Sequence, residues 1–290
     1  MYNEILFLTD GSEGAEAVFD HVLDIADAHG SRIRVLNVAD TNRPSVLRKG
    51  GDVLDVLKEE GKRVVGDVAD RARERGVSVI TEVIQGEPYK TIVDYADSHG
   101  VDFIVMPTHG RQGLERFLLG STTEHVVRRA EVPVLTVKPD GDTSVEYPYA
   151  NVLVPTDGSD CAREALSIGV DVVKAEMASL HLVSVIDTMS LGVDVRSDVR
   201  IELLEESADG ILGDAFDFAE DAGINPVSET IEYGASVHEA ILSYIEDKDI
   251  DLIVMGTHGR TGFERYMLGS VTEYIIRTSP IPVLTVRETV

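Results

Sequence analysis

One cysteine in 290 residues, Cys161, excludes an internal disulfide, and the absence of clustered Cys and His around it excludes a structural zinc site. Long apolar runs are missing too. No stretch approaches the roughly 18 uninterrupted apolar residues of a membrane span, and the chain begins Met1-Tyr2-Asn3-Glu4 without a basic segment leading into an apolar one. The expectation is a soluble, cytoplasmic protein with no membrane role. Cations are scarce: 26 Lys and Arg, of which 7 are Lys, stand against 52 Asp and Glu, for a net charge of −26 and a pI near 4.5. Nucleic-acid binding is disfavoured, because neutralising phosphates needs clustered Lys and Arg. The acids are spread along helical segments instead of forming a tail. Such a surface repels itself in dilute salt and is relieved by screening, which suggests a high-salt cytoplasm; ordinary acidity for solubility is the alternative. What is plentiful is apolar content, 43%, enough for one large or two compact cores and too much for global disorder.

The chain contains itself twice. Residues 104–137 align without gaps to residues 253–286, with 21 identities in 34 positions at an offset of 149. Thr9-Asp10-Gly11-Ser12 repeats as Thr156-Asp157-Gly158-Ser159 at an offset of 147, and Gly86 as Gly234 at 148. Small insertions of this kind fit loops and not packed strands, so each copy reads as an intact domain. The polar stretch Pro139-Asp140-Gly141-Asp142-Thr143-Ser144 marks the joint. The expected organisation is a domain over 1–140, a linker over 141–148 and a second domain over 149–290. Split at residue 146, the first half has 17 cations against 26 acids and the second 9 against 26, so the surfaces have diverged more than the repeated segment.

Within each copy, short β-branched runs alternate with helical periodicity. In the first, strands are expected near Ile5–Thr9, Ile33–Val38, Val77–Ile84, Phe103–Met106 and Val134–Val137, with helices over Ser12–His29 and Asp52–Arg75 among them. Five alternations predict an α/β class: two tandem doubly wound five-stranded parallel-sheet domains, built from right-handed crossovers. Ligands of such sheets bind beyond the carboxyl ends of the strands, where strand order reverses. The final strands, Pro133–Val137 and Pro282–Val286, are apolar and expected at sheet edges. They are expected to pair across the two domains about a pseudo-two-fold axis, with further homodimerisation of the whole chain plausible.

The segment the copies share is the place to look for function. The second reads Gly256-Thr-His-Gly259, then nine residues, then Gly269-Ser270. Glycines permit positive φ and close backbone approach, and a helix starting after Gly269 offers unpaired N–H groups and the positive end of its dipole, which suits phosphate. Ser270 with Glu273, and Ser121 with Glu124, have capping-box spacing. At the end of each first strand stands Asp10 or Asp157, placed to accept from a ribose or an adenine amine; equally, Asp-Gly reads as a helix-entry turn capped by Ser12 or Ser159. For the glycine loop the competing reading is a tight packing turn.

On these residues the chain resembles the universal stress protein family in its tandem form, from Ile5-Leu6-Phe7-Leu8-Thr9-Asp10-Gly11-Ser12 to the terminal Pro-Val-Leu-Thr-Val strands. The family's nucleotide-binding pattern, Gly-x2-Gly-x9-Gly-Ser/Thr, is matched by Gly256, Gly259, Gly269 and Ser270. The resemblance implies an adenine nucleotide alpha hydrolase-like fold and ATP as ligand, with or without Mg2+, and no metal site of the protein's own. It implies that Gly256, Gly259, Gly269, Ser270 and Val271 hold ribose and phosphates, with Met255 beside them, Asp157 the nucleoside, and Val185 the adenine through its backbone. The first-copy counterparts are Asp10, Val38, Met106, Gly110, Gly120, Ser121 and Thr122. That copy departs from the pattern at Pro107, which removes an N–H and fixes φ near −65°, and at Leu8, where the second copy keeps Pro155. The second site is therefore the better bet.

Other residues carry less. His109 and His258, in Thr-His-Gly, fit a loop or phosphate-near role better than catalysis, since Arg111 and Arg260 stand where a nucleotidyl transferase signature needs a second His. Arg111, Arg116, Arg260 and Arg265 could neutralise phosphate or pair with Glu115 and Glu264. Cys161 reads as an ordinary small residue, its counterpart being Gly14. No catalytic triad, paired carboxylates at a defined pocket or Walker lysine is present, so no catalytic residue is assigned. The leading reading is an ATP-binding stress-response module. Very slow ATP hydrolysis or phosphotransfer, and a partner-binding scaffold without nucleotide, are the alternatives.

Overall fold

The computed structural model describes residues 2–40, 53–110, 119–139, 145–189, 197–260 and 267–288. The chain divides into two compact units, Met1–Tyr147 and Pro148–Val290. The first contains β1 (Glu4–Leu8), α1 (Glu13–His29), β2 (Arg32–Asp40), α2 (Val53–Glu74), β3 (Ser78–Gly86), α3 (Pro88–His99), β4 (Phe103–Pro107), α4 (Ser121–Arg129) and β5 (Val134–Val137). The second repeats the series as β6 (Asn151–Pro155), α5 (Asp160–Glu176), β7 (Ser179–Asp187), α6 (Ser197–Asp221), β8 (Ser228–Gly234), α7 (Val237–Asp247), β9 (Leu252–Gly256), α8 (Ser270–Thr278) and β10 (Val283–Val286).

Every pairing within a unit is parallel, in the order β3-β2-β1-β4-β5 and β8-β7-β6-β9-β10. The chain builds outward from β1 through β3, then crosses to the other side of β1. With right-handed crossovers, that reversal puts α1 and α2 on one face and α3 and α4 on the other. Strands covered on both faces need unbroken apolar runs. Ile5, Leu6 and Phe7 accordingly have no exposed surface, and Phe7 meets Phe19 of α1 with ring centroids 5.0 Å apart. One carboxylate sets the start of each first strand. Asp102 accepts from the N–H of Asn3 and Glu4 at 2.6 and 2.9 Å, and Asp251 accepts from Ala150 and Asn151 at 2.8 and 3.0 Å.

The two first helices start alike and end differently. Ser12 and Ser159 cap them, each hydroxyl accepting from the N–H three residues on at 3.2 Å. Helix α1 ends on Gly30 in the left-handed region (φ 64°), whereas α5 ends on Met177 at φ 55° with 92% of its surface exposed. A side chain in that region costs roughly 1 kcal/mol and an exposed methionine recovers none of it by packing. Met177→Gly is expected to stabilise the second unit by about 1 kcal/mol, read as a raised denaturant midpoint at unchanged slope.

Candidate functional site

At the carboxyl end of each sheet the first strand stops before its neighbour. β1 ends at Leu8, opposite Leu36, while β2 runs on to Asp40. The N–H of Thr9 donates to the Leu36 carbonyl at 3.2 Å, so Leu36 faces the β1 side; alternation along a strand turns Val38 to that same side, past the end of β1. The second unit repeats this. Thr156 N–H donates to the Val183 carbonyl at 2.8 Å, which turns the backbone of Val185 toward the opening beyond Pro155. Each opening is thus edged by one backbone donor and one acceptor.

The Asp turn closes one side. Asp10 Oδ1 accepts from Ser12 N–H and Asp157 Oδ1 from Ser159 N–H, both at 3.0 Å, while Gly11 and Gly158 take φ of 71° and 75°. The helix-entry geometry is therefore present, and it occupies only one carboxylate oxygen. The other faces the glycine loop: a Cβ on Gly110 or Gly259 would lie 2.5 Å from Oδ2 of Asp10 or Asp157. In the second unit that oxygen also accepts from the backbone N–H of Arg260 at 3.0 Å. The two segments that the fold argument brings together do meet.

From the loop the chain enters α4 or α8. The N–H of Gly120 donates to the Thr108 carbonyl at 2.9 Å and that of Gly269 to the Thr257 carbonyl at 2.8 Å. Here two sequence expectations need correction. Ser121 and Ser270 are the first helical residues and not caps; Gly120 and Gly269 are the caps, and no side chain makes a cap hydrogen bond there. The capping-box spacing misplaced the cap by one residue because the glycine carbonyl already accepts the first helical N–H, from Glu124 or Glu273, at 2.9 Å. Nor do these loop glycines serve positive φ, which none of Gly110, Gly120, Gly256, Gly259 and Gly269 adopts. They serve close approach: a Cβ on Gly269 would stand 3.3 Å from His258 Cα and 3.4 Å from the Thr257 carbonyl oxygen. Ser121 and Ser270 are left exposed at the helix start. The N–H groups of Ser270 and Val271, and of Ser121 and Thr122, have no acceptor within their helices, as at any helix N-terminus.

Pro107 is answered by packing elsewhere. In the second unit a Cβ on Gly256 would come within 2.8 Å of Cys161 Sγ, a thiol that donates to the Val286 carbonyl at 3.2 Å. The first unit has Gly14 where Cys161 stands, and a Cβ there would meet the Pro139 ring at 2.8 Å. Where the second unit has glycine against cysteine, the first has Pro107 in the strand and, at the position of Cys161, a glycine whose missing side chain makes room for Pro139. The carbonyl of either residue receives the same bond, from Thr123 Oγ1 to Pro107 at 3.1 Å and from Thr272 Oγ1 to Gly256 at 2.8 Å. Gly256→Pro alone is expected to cost the second unit about 2–3 kcal/mol by overpacking, with Cys161→Gly recovering the part due to Sγ at 2.8 Å and not the part due to the Cys161 backbone at 3.1 Å; a thermal or urea double-mutant cycle measures the coupling.

Met106 and Met255 are buried in their strands, so at this site they offer backbone only. His109 Nδ1 and His258 Nδ1 lie 3.1 and 3.2 Å from the hydroxyls of Thr108 and Thr257, as loop-stabilising residues do. Arg111, Arg116, Glu115, Glu264 and Arg265 lie outside the described residues. Sequence reasoning missed Thr123 and Thr272, which tie helix to strand end, and Asn37, whose amide donates to the Thr9 carbonyl at 2.8 Å. The threonines did carry a signal, being identical between the copies.

A family model described as the universal stress protein family matches residues 1–138 and again 148–287. The chain belongs to the universal stress protein family. Its two family domains agree in extent with the two compact units. The chain is 37% identical over 143 residues to a universal stress protein of Methanocaldococcus jannaschii, covering 48% of this chain and 83% of that one. A Mycobacterium tuberculosis universal stress protein is 27% identical over 217 residues, or 72% of this chain and 69% of that protein. The crystal structure of a universal stress protein from Archaeoglobus fulgidus superimposes with a TM-score of 0.76 at 27% identity, covering 100% of both chains. No helix among the described residues is long and apolar enough to cross a membrane.

Proposed function

We propose that this universal stress protein binds an adenine nucleotide, ATP in the first instance, at the mouth of each sheet, with the second unit as the stronger site, and that occupancy is its signal. The observation that carries the reading is the convergence in the second unit of three features. The Asp157 carboxylate lies against Gly259, the backbone edge of Val185 faces the opening, and α8 begins with free N–H groups at Ser270 and Val271. In this reading Val185 and Val38 take the adenine edge, and Asp157 and Asp10 the ribose. Gly256, Gly259, Gly269, Ser270 and Val271 take the phosphates, as do Gly110, Gly120, Ser121 and Thr122 in the first unit. Helix-start amides suit the phosphates because their dipoles are fixed before the anion arrives. Mg2+ would come with the phosphates.

A ligand that binds only the folded state stabilises it by RT ln(1 + [L]/Kd), about 2.7 kcal/mol at one hundred times Kd. Heating the chain with and without Mg-ATP tests the reading: a melting temperature that climbs with nucleotide concentration is expected, and one that does not move refutes it. The last strands of the units, β5 and β10, are each four buried apolar-rich residues at the end of their own row. We propose that they pair with one another, which a cross-linking scan along both strands checks. The charge of −26 is proposed to suit a cytoplasm of high ionic strength. Unfolding midpoints are therefore expected to rise between about 0.1 M and molar KCl.

A further inference from the structure

Resting on the nucleotide reading, we propose that the two sites differ in the ligand charge they prefer: the second favours the nucleoside polyphosphate, and the first, where the same loop stands beside more negative charge, a nucleoside carrying fewer phosphates. The difference is written on the Asp turns. In the second unit Arg163, in the first turn of α5, reaches back so that Nη1 donates to the Gly158 carbonyl at 2.6 Å. Arg260 approaches the same turn, its Nη2 lying 3.1 Å from where a Cβ of Gly158 would stand. Two guanidinium groups therefore lie beside the turn that carries Asp157. Arg163 also pairs with Asp160, but both side chains are about two-thirds exposed, so that pair is weak and the guanidinium is open to a better anion.

Register fixes what the first unit has instead. Ser12 and Ser159 cap α1 and α5 in the same way, so Glu16 occupies the position of Arg163 and Glu13 that of Asp160. The first turn of α1 thus carries Glu13 and Glu16 and no Lys or Arg, just after Asp10; since Arg260 has a sequence counterpart in Arg111, the charge that distinguishes the two turns is that of Glu16 against Arg163. Glu16 also lines a cleft of about 400 Å³ beside Gly11, with Glu60 and Asp67 across from it on α2. The cleft's cations are Arg63 and Arg71, of which Arg71 is held by Asp20 and the Glu16 carbonyl. The change from −1 at Glu16 to +1 at Arg163 remains a swing of two charges on the turn itself. Pro107 acts in the same sense, since it takes one more N–H from the rim that receives phosphate.

The experiment uses the full chain with one site blocked at a time, Gly120→Val leaving the second site and Gly269→Val the first. ATP and adenosine are titrated separately by calorimetry at about 0.1 M and about 1 M KCl. With the first site blocked, Arg163→Glu is expected to weaken ATP roughly tenfold at low salt and to change adenosine less than about twofold, with the loss shrinking in molar salt. With the second blocked, Glu16→Arg is expected to raise ATP affinity by a similar factor. Both substitutions sit at exposed positions, so the fold survives them. An ATP-to-adenosine affinity ratio that is equal at the two sites, or unmoved by both charge reversals, overturns the inference and leaves nucleotide binding standing. Binding of neither ligand to the unblocked chain overturns both.

Discussion

Gly269→Val is expected to remove the stabilisation by Mg-ATP proposed for the second unit, while Gly269→Ala keeps most of it. Gly269 has φ −64° and ψ 142°, which any residue adopts, so the backbone conformation alone does not demand glycine. Space does. An alanine Cβ would stand 3.3 Å from His258 Cα and 3.4 Å from the Thr257 carbonyl, tight but within reach of a shift of a few tenths of an ångström. Valine adds two γ-carbons against backbone that cannot rotate away. The loop must then move, the bond from Gly269 N–H to Thr257 goes, and the Ser270 and Val271 amides lose their aim. At one hundred times Kd the stabilisation at stake is about 2.7 kcal/mol, equivalent to about 5–10 °C for a domain of this size. Scanning calorimetry of wild type and both variants, with and without nucleotide, provides the readout. Full retention of the shift by the valine variant would place the ligand elsewhere.

The second large effect is acid sensitivity of the first unit. His21 lies in α1 at 4% exposure, edge-on to Tyr147 at 5.9 Å, and burial pushes its pKa down from 6.5 to about 4. The unfolded chain therefore takes up a proton near pH 6.5 that the folded chain refuses until about pH 4. Below 6.5 protons favour the unfolded state, so stability is lost as pH falls through that window and the loss levels off under pH 4. At 1.36 kcal/mol per unit the total is on the order of 3 kcal/mol. In the second unit His181 is also lowered, by burial first and by Lys248 second, and acts in the same direction. Because carboxylates add their own acid dependence, the measurement is a difference. Urea midpoints of wild type and His21→Gln between pH 7.5 and 4 should converge as pH falls. Parallel curves would show that His21 does not titrate differently in the two states.

The class of the fold was legible because alternation of strand and helix needs only local periodicity. Val134–Val137 is a strand at its expected bounds, and Ser12–His29 is the cap and helix it resembled. Strand ends were read less well: β1 stops at Leu8, one residue before the expected Thr9, and β2 continues to Asp40, past the expected Val38, because β3 pairs with it as far as Gly86. The loop residues were legible only as a set. Their identity in two copies marked Gly259 and Gly269, but spacing could not distinguish a cap at Ser270 from one at Gly269. That depends on which carbonyl the Glu273 N–H reaches.

Other pairs have no local signal at all. Tyr89 stacks on His125 with centroids 4.8 Å apart, and at the corresponding positions His238 stacks on Tyr274 at 3.8 Å, the same pair with its members exchanged. Likewise Arg34 bridges Glu4 and Tyr95 in the first unit, where the second has His181 on Tyr244 and Tyr244 on Ser228. Each substitution looks arbitrary until its partner is known.

The amino-acid order by itself determined the duplication, the α/β class, the acidic character and the glycine spacing, since all four are properties of composition or of short-range period. Tertiary structure alone decided that Asp157 would take the Arg260 N–H, that Gly256 would lie against Cys161, and that Arg163 would reach the turn where Glu16 stands in the other copy. Those are contacts between segments distant along the chain, and their free energy depends on shape and charge that no single segment contains.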